Sequence, residues 1–435
     1  MIERLRLKSE HIQKPRFDVQ LIGSIVLIAM MVLLRDLGIF NFSPVYFLVV
    51  VVLISALLPI SSLRPFVFYY ITAGLSVHGV ALIPLAIALV VKTRKFSWAQ
   101  FVFPILILLL ELAHILSYDF KTEIPDFVVY ALNIFIFFFL LFDTGDEHDD
   151  VKECIRYYIF GVVTATSIVF LHSMSVFGLQ GMLYENFRMG ATFEDKQRLG
   201  EMITSMNPNQ MAFYSLAAFS LILFIKDLYK SQIIKYALIA ILLIVGLFTM
   251  SRTWILLLIL TLVSYFLISE MKGKFKLLMT VVVFVLVGLR FTDFSEVIIE
   301  NFQSRFEESS LMSAGRRVEI LKEYNEWMLN HPNRNFVGTG ALYYSKVCGL
   351  KYSVHNSIQQ IFVSYGMFGI LFFALFIAFY CYRCHWRNKA VFRYYMPLMI
   401  CFLFSLSGQL LNPVSMLLPF AAVALPLKLF TSRAL

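Results

Sequence analysis

Residues 358–382 read IQQIFVSYGMFGILFFALFIAFYCY, an apolar run long enough to span a membrane. A spanning helix needs about 20 apolar residues, because a helix rises about 1.5 Å per residue and the hydrocarbon core is about 30 Å thick. His355 and Asn356 stand just before this run, at the end of the longest polar segment of the chain. Ionisable groups at a membrane boundary are costly unless they are paired or functional, so this junction is the first candidate site.

The chain as a whole has the same apolar character. Of its 435 residues, 59% are hydrophobic and 15% are charged, and the mean hydropathy is +0.77. A soluble domain of this length does not bury so much apolar surface, so the chain is a polytopic membrane protein. We predict one integral membrane domain over 1–435, an all-α transmembrane helical bundle of about 12–14 spans. The apolar runs lie at about 19–34, 44–60, 64–91, 101–118, 126–142, 155–177, 208–226, 233–250, 253–269, 277–291, 356–381, 394–411 and 413–430.

The distribution of charge favours orientation in a membrane over nucleic-acid binding. The net charge of +9 comes from short basic clusters between the apolar runs. The five cysteines are scattered and predict no disulfide framework. The first 18 residues are basic and polar, and the run after them has no small-residue cleavage site, so we expect a retained first span.

Residues 64–91 form the ambiguous apolar run. Gly74, Gly79 and Pro84 interrupt it, so one tilted helix and two short helices are both compatible with the sequence. The positive-inside rule predicts that the basic N-terminus and the basic cluster at 92–95 both face the cytoplasm. Both conditions hold only if 64–91 crosses the membrane twice, which gives about 14 crossings.

Two polar segments, 178–207 and 292–355, fall on the opposite side, and we predict that both are outer loops. The second is too long for a simple connector. Apolar residues recur at helical spacing in 293–308 and 316–329, which predicts two amphipathic helices. They are expected to cap the bundle or to gate access of a substrate.

Arginines on the predicted outer side suggest an anion site. Arg252 stands in SRT at 251–253, a short polar turn between two apolar runs, against the positive-inside bias. One explanation is that the Arg252 side chain extends to the lipid headgroups. The other is that its guanidinium binds a phosphate by two parallel hydrogen bonds. Arg188, Arg316 and Arg317 lie on the same predicted side. Each alone is typical of a surface, whereas together they favour a diphosphate site.

His355 is the candidate proton acceptor of that site, because imidazole moves protons near neutral pH. The alternative is a structural histidine at a helix start. Asn356 is placed to cap the following helix, and Asn209 stands at the start of another span. We keep both asparagines as candidate substrate-binding residues.

The order of three motifs resembles one family. SRT at 251–253 precedes an apolar span, GRR, HP and GTG follow in the long outer segment 292–355, and HNSIQQIFVSYGMFG begins at His355. This arrangement, over about residues 180–380, resembles the O-antigen ligase and polymerase superfamily, which includes Wzy-type polysaccharide polymerases. The segment RMGATF…NPNQ, from Arg188 to 210, is similar to the family's earlier outer loop.

The resemblance implies a metal-independent, inverting glycosyl transfer on the outer face of a bacterial inner membrane, with no cofactor. The donor and the acceptor are polyprenyl-diphosphate-linked glycans, and a chain-length regulator is an implied partner. By position, His355 would be the base, and Arg252 and Arg188 would bind the diphosphate. Arg316 and Arg317 fall where the family's large loop also has basic residues.

Two other motifs match known cofactor or metal sites only in part. Cys381-Tyr-Arg-Cys384-His385 matches the haem attachment pattern but lies at the predicted inner end of a span. Glu111 and His114 share one helix face, but a two-metal carboxylate site needs two such pairs and further carboxylates. We expect this pair to line the substrate cavity or, in a transporter, to relay protons.

Two alternatives to a polymerase stay open. A flippase or exporter predicts internal repeats and several charges at mid-membrane depth, and neither pattern is visible in the sequence. An O-antigen ligase differs only in its acceptor, a finished lipid core, which these motifs do not identify. The weak match outside the shared motifs favours a polymerase.

Overall fold

The computed structural model describes residues 18–40, 42–73, 81–93, 96–117, 124–142, 148–183, 189–190, 208–270, 300, 303, 317–388, 392–408, 411 and 417–429. In these residues all regular secondary structure is helical. The helices of the first half are α1 Val19–Asp36, α2 Pro44–Leu57, α3 Ile60–Ala73, α4 Leu82–Lys92, α5 Ala99–Ser117, α6 Ile124–Phe142, α7 His148–Leu183 and α8 Pro208–Phe224. Those of the second half are α9 Gln232–Phe248, α10 Arg252–Ile268, α11 317–330, α12 Arg334–Val337, α13 Tyr344–Val347, α14 Ser357–Asn388, α15 Met396–Ser405 and α16 Leu417–Ala424. Short 3-10 helices occupy Phe392–Tyr395 and Leu425–Lys428.

The predicted fold class is confirmed: the chain is an all-α polytopic membrane protein. Helices α1 to α10 and α14 to α16 correspond in position to thirteen of the fourteen predicted crossings, and the run 277–291 lies outside the described residues. Four described helical segments are long and apolar enough to span a membrane alone, namely Val19–Asp36, Ala99–Ser117, Asp150–Gly178 and Ser357–Cys384. Seven shorter apolar helices have 10–17 residues.

Side-chain contacts assign the helix ends to two opposite ends of the bundle. Lys226 pairs with Glu270 at 2.7 Å, Arg383 donates to Ser97 Oγ at 3.1 Å, and Arg393 donates to the Phe224 carbonyl at 2.6 Å. We call this the basic end. The opposite end, where α8, α10 and α14 begin, is called the loop end. Three basic residues that border predicted spans, Lys226, Arg383 and Arg393, therefore lie at one end of the bundle.

Segment 60–92 forms two short helices that run out and back. The Lys92 ammonium, at the end of α4, donates to the carbonyls of Ser55 at 2.7 Å, Ala56 at 2.9 Å and Leu58 at 2.6 Å, just before α3 begins. The segment therefore starts and finishes at the same end of the bundle. This is the two-helix alternative of the sequence, and each helix extends only about 16–21 Å at 1.5 Å per residue.

Helix α8 lies at the centre of the bundle. Of its 17 residues, 16 are buried, and Asn209, at the loop end, is the exception. Its small residues Ala212, Ser215, Ala217, Ala218 and Ser220 let neighbouring helices approach closely. The half-buried position of Asn209 marks where the centre of the bundle meets the loop end.

Helix α11 confirms the predicted amphipathic helix in the second outer segment. Ile320, Tyr324 and Met328 are buried against Val354 and Val363 in a small apolar cluster separate from the main core. The Tyr324 hydroxyl donates to the Tyr352 carbonyl at 2.8 Å. The other predicted helix, 293–308, lies outside the described residues except at 300 and 303.

The orientation of the two ends is testable by cysteine labelling. We expect Lys351→Cys, at the loop end, to react in intact cells with a membrane-impermeant maleimide, and Asn388→Cys, at the basic end, to react only after permeabilisation. Both are made in a background without the five native cysteines. Labelling of position 388 but not 351 in intact cells contradicts the proposed orientation.

Candidate active site

Three of the candidate residues come together at the loop end. The positive charge of Arg252 acts on Arg317, and that of Arg317 acts on His355. These residues come from α10, α11 and the segment before α14, which are far apart in the sequence. Like charges within electrostatic reach of each other repel by roughly 1–4 kcal/mol at the effective dielectric of a protein surface. The arrangement therefore favours an anion bound among them.

The environment of His355 holds its imidazole in the neutral form. Partial removal of water by the surrounding protein, and then the charge of Arg317, lower the pKa of His355 below its usual value of about 6.5. The side chain nevertheless keeps an exposed surface. A neutral, accessible imidazole near neutral pH is able to accept a proton.

Arg317 interacts electrostatically with both of the other groups. Removal of water by the surrounding protein, and then the charge of Arg252, lower the pKa of the Arg317 guanidinium. A guanidinium nevertheless stays charged at any physiological pH. Arg317 therefore contributes a permanent positive charge to the site.

The residues after His355 fasten the start of α14. Asn356 Oδ1 accepts hydrogen bonds from the amides of Ile358 at 3.0 Å and Gln359 at 3.1 Å, which is the helix cap that the sequence predicts. The Ser357 hydroxyl donates to the Ser405 carbonyl at 2.7 Å, at the end of α15. The cap uses the side-chain oxygen of Asn356, so any contact with a substrate would use its amide nitrogen.

The two glutamines of HNSIQQ connect α14 to its surroundings, a role that the sequence analysis missed. Gln359 Nε2 donates to the Leu321 carbonyl and to Asn325 Oδ1, both at 3.0 Å, and so ties α11 to α14. Gln360 Oε1 accepts from the Leu411 amide at 2.9 Å. The available signal was a pair of amides inside an apolar run, where each needs a partner.

Arg252 is positioned by the rigid packing beneath it. Trp254, two residues after Arg252 in α10, is 1% exposed, and its indole N–H donates to Ser215 Oγ of α8 at 2.9 Å. The ring lies against Gly246 of α9, where any β-carbon would overlap it. Met250, in the turn before α10, has a φ of +49°, a conformation that is uncommon outside glycine.

Met189, in the polar segment 178–207, binds the end of α9 next to the same turn. The amide of Met189, which is fully buried, donates to the Phe248 carbonyl at 2.9 Å. Arg188 and Arg316 lie outside the described residues, so their roles stay predictions. Asn209 lies half-buried at the start of α8, and its role as a substrate-binding residue is likewise a prediction.

Glu111 and His114 bind the backbone on both sides of the GTG segment at 338–340. Glu111 Oε2 accepts from the Ala341 amide at 2.8 Å, Glu111 Oε1 accepts from the Leu342 amide at 3.0 Å, and His114 Nε2 donates to the Val337 carbonyl at 2.8 Å. Both side chains are buried. The shared helix face that the sequence predicts is therefore occupied by protein backbone in this structure.

The Cys381-x-x-Cys384 pair lies towards the basic end of α14, beside Arg383. Cys384 is buried and both thiols are free. Among the described residues no three His, Cys, Asp or Glu side chains cluster in a way that suits a metal ion.

A comparison with protein families supports the resemblance drawn from the motifs. Residues 236–374 match the model of a family described as O-antigen ligase. The match covers roughly a third of the chain and includes Arg252, Arg317 and His355. It confirms, at the level of the superfamily, the resemblance drawn from the motifs. A search of curated proteins found no significant relative.

The packing under Arg252 gives a testable prediction. Gly246→Ala should destabilise the purified protein by about 1–3 kcal/mol, because the new methyl group displaces the buried Trp254 ring. The measurement is thermal unfolding in detergent. Gly23→Ala, in α1, is the control: no atom lies within 4 Å of its new methyl group, so stability should stay the same or rise by up to about 1 kcal/mol. Equal melting temperatures for the two variants contradict the close contact.

Proposed function

We propose that this chain, whose residues 236–374 match a family described as O-antigen ligase, polymerises polyprenyl-diphosphate-linked oligosaccharides on the outer face of the bacterial inner membrane. The products would be O-antigen or capsular polysaccharide. The observation that carries the proposal is that Arg317 interacts electrostatically with Arg252 and with His355 at the loop end, within the region that matches the family.

The proposed reaction is a single displacement at the anomeric carbon of the donor. His355 accepts the proton of an acceptor hydroxyl, and the hydroxyl oxygen forms the new glycosidic bond. The bond between the anomeric carbon and the diphosphate oxygen breaks, and the polyprenyl diphosphate leaves with the bonding electrons. Attack opposite to the leaving group inverts the configuration of the anomeric carbon.

The charge that develops on the leaving group requires stabilisation by the protein. Fixed guanidinium groups supply it without a metal ion, because each binds phosphate oxygens by two parallel hydrogen bonds. Arg252 and Arg188 are the proposed diphosphate ligands, and Arg316 and Arg317 extend the positive surface. Asn209 and the Asn356 amide nitrogen are the proposed contacts to sugar hydroxyls.

The family description favours a second candidate, an O-antigen ligase. The donor, the leaving group and the roles of His355 and Arg252 are the same in both reactions. The acceptor differs: a lipid-linked glycan in a polymerase and a finished lipid core in a ligase. Analysis of the lipid to which the product glycan is attached distinguishes the two.

Substitution of Arg252 tests diphosphate binding. Arg252→Ala should lower turnover on the order of 100-fold or more, the loss expected for one contact that stabilises developing negative charge. Arg252→Lys keeps the charge but loses the planar pair of donors, so it should remain impaired. Turnover is measured with purified protein and lipid-linked glycan, at matched protein amounts. Wild-type polymer length and rate in Arg252→Ala contradict this role.

The pH dependence tests His355. Turnover requires the neutral ring, so it should fall as the pH drops through a pKa below the usual value of about 6.5. Arg317→Gln removes a positive charge that opposes protonation, so this acidic limb should move to higher pH. His355→Gln, which retains a hydrogen-bonding side chain but accepts no proton, should lose about 100-fold or more of the rate.

A near wild-type rate in His355→Gln shows that the histidine is structural. An acidic limb that stays in place in Arg317→Gln contradicts the electrostatic contact between the two residues.

A further inference from the structure

Helix α14 is broken within the bundle, and the outer loop covers the break. At Gly366 the backbone leaves the helical conformation, with φ +61° and ψ −156°. The outer loop supplies hydrogen bonds beside it: the Thr339 amide and hydroxyl both donate to the Val363 carbonyl at 2.9 Å, and the Gly340 amide donates to the Ser364 carbonyl at 2.7 Å. Buried carbonyls of a membrane protein need such partners.

The fit between the loop and the break is close. A β-carbon at Gly338 would overlap the backbone of Ser364, and one at Gly366 would overlap the backbone of Phe336. Gly340 has a φ of +87°, and a β-carbon there would lie 3.1 Å from His114 Cβ and 3.2 Å from Glu111 Oε1. The backbone of the loop therefore packs directly on the backbone of α14, and no space is left for a side chain at Gly338 or Gly366.

We call the contact of the loop 338–342 with the part of α14 around Gly366 the joint. Glu111 of α5 binds both of its sides. One carboxylate oxygen accepts from the Ala341 amide at 2.8 Å and from the Tyr365 hydroxyl at 2.9 Å, and the other accepts from the Leu342 amide at 3.0 Å. Tyr365 also hydrogen-bonds to Tyr130 of α6. Glu111 is 1% exposed, so nothing in the solvent replaces these contacts.

The two elements that Glu111 joins carry two of the proposed site residues. The loop 338–342 follows α11, which begins its described part at Arg317, and Tyr365 belongs to the helical segment that begins just after His355. Arg252 lies on α10, which packs on α8, α9 and α15, whereas Glu111 and the loop 338–342 pack on α14. Displacement of the joint would therefore move Arg317 and His355 relative to Arg252.

We infer that Glu111 is a positioning residue for the transfer reaction, which fixes the outer loop on the broken helix α14 and so holds Arg317 and His355 in place. The inference rests on the proposed function for its effect on the reaction. The attachment of the loop is independent of it. Glu111 touches no reacting atom in this arrangement, since backbone amides and the Tyr365 hydroxyl occupy its carboxylate.

The test is Glu111→Gln, which keeps the size of the side chain but replaces one acceptor oxygen with a donor. Cys348 reports on the loop, because it is buried in the cluster under α11 and burial raises the pKa of its thiol to about 12. We expect maleimide labelling of Cys348 to become about tenfold faster or more, while Cys401, buried in α15, stays unlabelled.

The kinetic expectation separates positioning from donor binding. In Glu111→Gln the kcat should fall roughly 10- to 100-fold, the range expected when a buried network loses one acceptor. The KM for the lipid-linked donor should stay within about twofold if it reflects binding at Arg252. Tyr365→Phe removes one of the three hydrogen bonds and should change labelling and kcat in the same direction by less. It keeps the test available if Glu111→Gln does not fold.

Gln100→Met is the matched control on the same helix. Gln100 is fully buried and binds the Ser97 amide at 2.7 Å and the Phe139 carbonyl at 3.2 Å at the basic end. Its substitution also removes two buried hydrogen bonds, but labelling of Cys348 and kcat should stay at wild-type values.

Three results overturn the inference: wild-type labelling of Cys348 in Glu111→Gln, faster labelling with unchanged kcat, or equal effects in Gln100→Met. A wild-type protein without transferase activity refutes the proposed function instead. In that case the labelling comparison still decides whether Glu111 holds the loop.

Discussion

The loop end of this protein depends on the hydrogen bonds that join segment 337–342 to α5 and to the broken helix α14. Inside a membrane protein, every buried backbone group must find a partner within the protein. Here the carbonyls of Val363 and Ser364 are bound by the outer loop, and the loop amides of Ala341 and Leu342 are bound by Glu111. Each part satisfies polar groups of the other, so neither is expected to hold its conformation alone.

The joint explains how an outer loop keeps a defined position above a bundle. Helix α11 packs only a small apolar cluster against the rest of the protein, with Tyr324 and Met328 at its centre. Such a cluster orients a helix but leaves freedom to slide, because apolar contacts are not directional. Gln359 of α14 donates hydrogen bonds to the Leu321 carbonyl and to Asn325. These bonds are directional, so they fix the position of α11 along α14.

The fold class and the buried apolar face of α11 were predictable from the sequence. The first follows from the length of the apolar runs, and the second from hydrophobic periodicity. The out-and-back path of 60–92 was left as one of two alternatives. Charge favoured it, and the contacts of Lys92 show it. The grouping of Arg252, Arg317 and His355 was predictable as one face of the membrane, since polar residues in an apolar chain collect at its boundaries.

The role of Glu111 was not predictable in the same way. The i, i+3 spacing with His114 placed both on one helix face, but the partners are backbone amides some 230 positions away, which have no side-chain signature. The glycines of GTG were quoted as a motif, yet the sequence does not say which backbone they approach. A glycine in an apolar run is compatible with close helix packing and with a break in the helix, so the sequence alone does not predict the break at Gly366.

The division of the site between two parts of the fold has an electrostatic consequence. Arg252 is held by the packing of Trp254 among α8, α9 and α10, whereas Arg317 and His355 are held through the outer loop and α14. The positive charges of Arg252 and Arg317 repel each other, by roughly 1–4 kcal/mol at the effective dielectric of a protein surface. An anionic headgroup bound between them turns that repulsion into attraction to a common partner. The loop must withstand the repulsion when no anion is bound, and hydrogen bonds to a buried carboxylate resist it better than apolar contacts, because they are directional and excluded from water.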